Sequence, residues 1–180
     1  MEPPVVTPLE ITVPAWIFRA LRDELVRDIG KLSSTKVLQQ VGYRTGSSAS
    51  VAFRAGLNGT VLEMMQSTFW KRLVEFFSCR GWGTFVVDLD HPGLGFLTSE
   101  DWAEAVTDEV DRNASCCFST GFLSGLLSEL AGGPVAVLEV DCRARGDEQC
   151  CFAFGSEVAI HDLYGRLLDG TNLEGALAAL

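Results

Sequence analysis

The sequence predicts an α+β domain: an antiparallel sheet of about four strands, arranged as two hairpins and packed with helices. Three observations carry that prediction. Apolar residues recur at helical spacing through most of residues 13–80. Beyond Gly81 the pattern changes to short apolar runs bounded by Gly, Pro and Asp, the mark of hairpins. The two hairpins are separated by one helical stretch and followed by another, so strands pair locally rather than through parallel crossovers. The 180 residues suit one domain spanning 1–180, with 1–12 as a loose N-terminal arm, 13–80 as a helical part and 81–180 as the hairpin-bearing part.

The elements follow in order. The first ten residues are Pro-rich and expected to be loose, and Leu9–Val13 reads as a short strand. Pro14 suits the first turn of a helix, Phe18, Leu21, Leu25 and Ile29 form its apolar row, and Gly30 ends it. A second helix, capped by Ser33 or Ser34, runs to about Leu57, and Gly42 and Gly46 inside it predict a kink or break. Asn58-Gly59 is its stop. With Thr60 as N-cap, a third helix reaches about Phe77 and carries Leu62, Met65, Phe69, Leu73 and Phe76 on one face. Thr84–Asp90 and Leu94–Thr98 are strands joined by the turn at His91-Pro-Gly93. Asp101–Asp111 reads equally as an acidic helix or an extended segment. Asn113 or Ser115 caps a helix through about Leu130, closed by Gly132-Gly133-Pro134. Val135–Asp141 and Gln149–Phe154 form the second hairpin, and Val158–Leu168 is the last helix.

Charge and hydropathy exclude several classes. Residues 1–80 carry a net charge of +3 and residues 81–180 a net of −13; eight carboxylates and no Lys or Arg lie between Asp88 and Asp111. Such a surface repels phosphate backbones, which argues against nucleic-acid binding and suits a solvated acidic face. No apolar run is long enough to span a bilayer, and the N-terminus lacks the basic and apolar regions of a secretory signal. A cytoplasmic protein is expected.

Six cysteines stand at 79, 116, 117, 142, 150 and 151. In a reducing compartment they are not expected to pair as disulfides, and the clustering of five beside acidic groups points to metal. Cys142 and Cys150 flank a Gly-containing turn that can fold back and bring both sulfurs to one point. Glu139 precedes Cys142 by three residues, a spacing that faces opposite sides of a regular strand. For both to reach one ion, the backbone must leave β geometry near Asp141. Cys116 or Cys117, at the start of the preceding helix, supplies a fourth ligand. Three thiolates and a carboxylate fill a tetrahedral zinc shell, although buried cysteines also serve as small hydrophobes.

The stretch from Phe118 to Pro134, with Gly121 and Gly125 on its helix, followed by Val137-Leu-Glu-Val-Asp-Cys-Arg-Ala-Arg-Gly-Asp-Glu-Gln-Cys-Cys-Phe152, resembles the 4-vinyl-reductase (4VR) domain. That pattern is E-x-x-C-x-A-x-G-x(3)-C-x-F after a helix with G-x-x-x-G. The resemblance is strongest over residues 113–155. It implies the TRAPP-subunit-like fold of bacterial sensors of aromatic compounds. In those sensors zinc is held by a Cys at the helix start, then Glu, Cys and Cys. Cys116, Glu139, Cys142 and Cys150 reproduce the spacings of 23, 3 and 8. The resemblance thus implies these four as ligands of a structural Zn²⁺, with Cys117 and Cys151 as packed neighbours. A shell of four protein ligands leaves no open position for catalysis. Arg143 and Arg145 either offset the charge of that shell or sit exposed in the turn.

Nothing else in the sequence suggests an enzyme. His91 and His161 have no evident catalytic partner, and no nucleophile elbow, P-loop or dinucleotide motif is present. No cofactor motif supports the "reductase" of the family name. Gly42 and Gly46 have a spacing too common to carry function, whereas Gly121 and Gly125 leave a groove for close approach of the sheet or another element. Aromatics crowd residues 69–102, and relatives bind small aromatics between the hairpin and flanking helices. The resemblance points to Trp102, with Phe96, Phe122 and Phe85, as ligand-binding residues. Three functions follow as expectations: a zinc-stabilised sensor domain for a hydrophobic or aromatic ligand, a carrier or assembly factor for a tetrapyrrole-like metabolite, and a TRAPP-like scaffold. Family relatives imply a homodimer, with the row Phe18, Leu21, Leu25 and Ile29 either at its interface or facing the chain's own core. A sensor acting alone would report to a downstream regulatory protein.

Overall fold

The computed structural model describes residues 10–57, 61, 64–105 and 115–180. It has six helices and a four-stranded antiparallel sheet, the predicted α+β class. Helices α1 (Trp16–Ile29), α2 (Lys31–Ala55) and α3 (Gln66–Ser78) come first. Strands β1 (Val86–Asp88) and β2 (Leu94–Ser99) form the first hairpin, and α4 (Cys117–Ala131) follows. Strands β3 (Ala136–Asp141) and β4 (Cys150–Gly155) form the second, and α5 (Glu157–Leu168) and α6 (Leu173–Leu177) end the chain. The sheet order is β1-β2-β4-β3, so the hairpins join through β2 and β4.

The sheet separates two apolar clusters. Alternation along β4 makes the division: Cys150 and Phe152 join the larger cluster with α3 and α4, while Cys151 and Ala153 join the smaller one with α5 and α6. The Cys150–Cys151 doublet is therefore split across the sheet, as the strand period requires.

Helix α2 runs unbroken, without the kink its glycines predict. Its buried face is Ser34, Leu38, Gly42, Gly46, Ser50 and Phe53, one narrow stripe laid against α4. A Cβ at Gly42 or Gly46 would overlap the carbonyl oxygens of Phe118 and Phe122, and one at Gly121 or Gly125 would overlap those of Gln39 and Tyr43. The two helices thus run parallel, each glycine seated on the other's backbone. Close packing offsets the poor helix propensity of glycine here. The groove predicted beside Gly121 and Gly125 is filled by α2.

Other boundaries differ from expectation for local reasons. Residues 10–13 are not a strand. Gly30, at φ +78°, both ends α1 and starts α2, so Ser33 and Ser34 lie inside the helix; Ser34 Oγ donates to the Lys31 carbonyl. Helix α3 starts at Gln66 because Met65 is extended at ψ 141°. Ser156 caps α5 and Asn172 caps α6, an element missing from the sequence reading. Of Asp101–Asp111, Ala103–Ala105 is one 3₁₀ turn. The rest of that segment, the arm before residue 10, Asn58, Gly59, Thr60, Leu62 and Asn113 lie outside the described residues. Among the described residues no helix is long and apolar enough to cross a membrane.

Candidate metal centre and ligand pocket

Four side chains from three separate segments meet beside the start of α4. Cys116 is the residue that precedes the helix, Glu139 stands in β3, Cys142 follows that strand, and Cys150 opens β4. Their ligand atoms all lie within 4.8 Å of one another, so the group can hold a metal ion. Cys116 Sγ and Cys142 Sγ are 3.8 Å apart. The three thiols are fully buried. Convergence depends on an irregularity in β3. Glu139 pairs with Phe152 but Asp141 pairs with Cys151, which inserts one extra residue at Val140. That bulge is the departure from β geometry that the Glu139–Cys142 spacing demands.

The turn between Cys142 and Cys150 is built to return the chain. Asp147 Oδ2 accepts the Cys142 N–H at 2.7 Å, and Gly146, at φ 102°, takes a conformation that suits glycine. Arg145 donates to the Val140 carbonyl at 3.1 Å and pairs with Asp147 at 3.5 Å, so it braces the turn.

The electrostatics are those of acceptors crowded out of water. Hydrogen bonds from Cys116 and Cys142, then one from the Arg143 N–H, pull the Cys150 thiol down to about 4 despite burial. Donation to Cys142 and Cys150, followed by burial, pushes the Cys116 thiol up. Burial, then the neighbouring Cys142, raises the Glu139 carboxyl to about 7. Glu139 also accepts from Ser115 Oγ at 2.6 Å and from the Cys116 N–H at 3.0 Å.

A second carboxylate braces the same helix. Glu104 accepts the N–H groups of Phe118 at 3.0 Å and Ser119 at 2.6 Å. These are unpaired donors of the first turn of α4, so Glu104 caps it from a distant segment. Burial, opposed by those hydrogen bonds, raises its carboxyl to about 7. Sequence reasoning missed this role: no local motif marks a cap supplied from fourteen residues upstream.

The four residues expected to bind a ligand are divided. Phe85, Trp102 and Phe122 surround Phe77, with ring centroids 5.6, 5.5 and 5.8 Å from it. Trp102 is 1% exposed, and its indole N–H donates to Ser119 Oγ at 2.7 Å. Phe96 lies across the sheet in the smaller cluster. Asp101, where the expected motif departs, accepts from the Thr84 N–H at 2.8 Å and ties the end of β2 to the chain before β1. That backbone hydrogen bond, more than any other influence, lowers its carboxyl below the ordinary range.

An open apolar pocket of about 350 Å³ lies elsewhere, between α3 and the C-terminal end of α4. Phe69, Trp70 and Phe154 form aromatic walls, and Leu127, Leu130 and Val135 form aliphatic ones. Eleven residues of helix separate Cys116 from Leu127, about 17 Å along the axis. Metal centre and pocket therefore occupy opposite ends of α4. The signal for the pocket lay in the Phe69-Trp70 pair, which the sequence assigns equally well to core.

Comparison with known proteins gives the family. Residues 108–156 match the family model of the 4-vinyl-reductase (4VR) domain, and this span covers Glu139, Cys142 and Cys150 as well as Cys116. The chain carries a 4VR domain. Over 140 residues the protein is 25% identical to the uncharacterized protein MJ0745 of Methanocaldococcus jannaschii, covering 78% of this chain and 67% of that one. Among solved structures it shares its fold with the phenol-responsive sensory domain of the transcription activator PoxR, bound to phenol. There the TM-score is 0.62 at 19% identity, covering 82% of this chain and 76% of the other. It likewise shares it with a trafficking protein particle complex subunit 3 from Naegleria fowleri covalently bound to palmitic acid. The TM-score is 0.63 at 12% identity, covering 78% and 91% of the two chains.

Proposed function

We propose that this 4VR-domain protein is a small-molecule sensor or regulatory domain that binds a hydrophobic or aromatic ligand without transforming it, and that a structural Zn²⁺ stabilises its fold. One observation carries the reading. The buried donor set at one end of α4 already supplies four protein ligands, while an open apolar pocket stands at the other end. A metal with a full protein shell has no position for water or substrate, so binding is separated from the metal.

Zinc suits the donor set of three sulfurs and one carboxylate oxygen. Tetrahedral Zn²⁺ with Zn–S bonds of about 2.3 Å requires sulfurs about 3.8 Å apart, and the Cys116–Cys142 separation is 3.8 Å. When bound, the ion would neutralise thiolates and tie α4 to the second hairpin, as structural sites do. The fold shared with a phenol-responsive domain favours the sensor reading over a scaffold. The free cysteines fit a cytoplasmic protein.

Phe85, Trp102 and Phe122 form the rigid aromatic floor of this binding unit. A homodimer through α1 belongs to the same reading: Phe18 packs on Trp82 and Phe118, while Leu21 and Ile29 remain 46% and 45% exposed. A downstream regulatory protein would then read the ligand-bound state. The test combines metal analysis with thermal shifts. Freshly purified protein should hold one zinc per chain, and phenols, indoles, fatty acids and porphyrins should be screened against it. A ligand at 100 times its dissociation constant should stabilise by about 2.7 kcal/mol. Absence of zinc refutes the metal assignment, and absence of any shift refutes the sensor reading.

A further inference from the structure

We infer that the pocket between α3 and the end of α4 selects a neutral molecule of two or three fused aromatic rings bearing one hydrogen-bond acceptor. This rests on the small-molecule reading above and narrows its ligand class.

Size gives the first constraint. An apolar cavity of about 150 Å³ accommodates one benzene ring. The pocket here is about 350 Å³, which by that scale suits about 14 non-hydrogen atoms. A lone phenol would leave roughly half the space without partner atoms and forfeit their dispersion contacts. A porphyrin macrocycle would need roughly 600 Å³ on the same scale, which sets the tetrapyrrole expectation aside for this pocket.

Wall chemistry gives the second. Phe69 and Trp70 meet edge-on at 4.8 Å, and Trp70 and Phe154 lie 5.4 Å apart, presenting rings to an occupant. The lining contains no Lys, Arg, His, Asp or Glu, and Gln66 is its one polar side chain. An ionised group inside would be desolvated without a counter-charge, so the occupant is neutral.

Trp70 supplies the third. Its indole N–H is buried and has no acceptor among the described residues. Buried donors are nearly always paired, and a carbonyl or ring oxygen on the occupant provides the missing acceptor.

The experiment uses the full chain loaded with metal and measures dissociation constants for phenol, fluorene, fluorenone and myristic acid by equilibrium dialysis. Fluorene and fluorenone share a ring skeleton and differ in the carbonyl. Fluorenone should bind at least tenfold more tightly than phenol and about tenfold more tightly than fluorene. Trp70→Phe keeps an aromatic wall, removes the donor, and should bring fluorenone to the affinity of fluorene. Ala131→Trp, which narrows the pocket, should weaken both, with unchanged metal content showing that the variants are folded. Phenol binding as tightly as fluorenone overturns the size inference and leaves the sensor reading standing. So does tighter binding of myristic acid than of either ring compound. An unchanged preference for fluorenone in Trp70→Phe overturns the role of the indole. If none of the four binds while another compound shifts the melting temperature, this inference fails alone; if nothing binds or shifts, the sensor reading fails with it.

Discussion

The seam between α2 and α4 makes a sharp prediction about two alanines. At Gly121 an added Cβ would overlap the Gln39 carbonyl oxygen and lie 2.8 Å from its carbon and 2.9 Å from its Cα. Ordinary carbon contacts are about 3.5–4.0 Å, so the helices must part by roughly 1 Å. All three obstructing atoms are backbone, and none can rotate away. Overpacking of this kind costs about 1–3 kcal/mol, and the better helix propensity of alanine returns about 1 kcal/mol. The rigid obstruction puts the cost at the upper end of its range, leaving Gly121→Ala less stable by about 2 kcal/mol. For a domain of this size that lowers Tm by about 4–8 °C. Gly165 is the control: it lies inside α5 with nothing within 4 Å of an added Cβ. Gly165→Ala should gain about 1 kcal/mol, raising Tm by about 2–4 °C. Thermal and urea melts of metal-saturated protein, followed by far-ultraviolet circular dichroism, measure both. Equal Tm changes in the two variants would refute the argument that backbone contact at the glycines holds these helices together.

Cys142→Ser and Cys150→Ser should each lose most bound metal and melt earlier, while Cys151→Ser, on the far face of the sheet, should keep its metal; elemental analysis after gel filtration decides it. Glu104 predicts a pH effect. Its folded value of about 7 lies above its ordinary 4.5, so the stability tied to its protonated form is complete below pH 4.5, falls as pH rises, and is gone once pH passes about 7. A shift of that size corresponds to about 3 kcal/mol. Glu104→Gln should therefore show a flatter profile than wild type between pH 5 and 8 in urea titrations at constant zinc, and parallel profiles would remove Glu104 from this role. Trp102→Phe should destabilise by about 1–3 kcal/mol, because it leaves a void and strips Ser119 of its indole partner, without changing metal content.

Most of the fold was legible because its elements are specified locally. Phe18, Leu21, Leu25 and Ile29 do lie on one helix, Gly30 does end it, and both hairpins pair in the expected sense. The failures came where tertiary contact overrides a local preference. Gly42 and Gly46 look like helix breakers until α4 supplies a backbone for them to meet. Helix α6 is five residues long and is held by its Asn172 cap and by packing of Ala176, too little pattern for periodicity to register.

The two ends of α4 differ in legibility for a physical reason. A metal centre is a positive specification. Four donor types must stand at spacings that a hairpin turn and one helix start can bring together, and covalent geometry limits those spacings to few values. The Glu139–Cys142 interval even required the bulge found at Val140. A pocket is the opposite: it is volume that no side chain fills, and it depends on every neighbour at once. Trp102, Phe85 and Phe122 have the composition of a binding site but are packed against Phe77. Phe69, Trp70 and Phe154 have the same composition and border open space, because the chain around them leaves it unfilled. Aromatic content alone cannot distinguish these cases, since both bury rings beside rings. The distinction appears once the third dimension assigns each ring its neighbours, and Trp70, with its unpaired indole N–H, is the residue at which that difference can be measured.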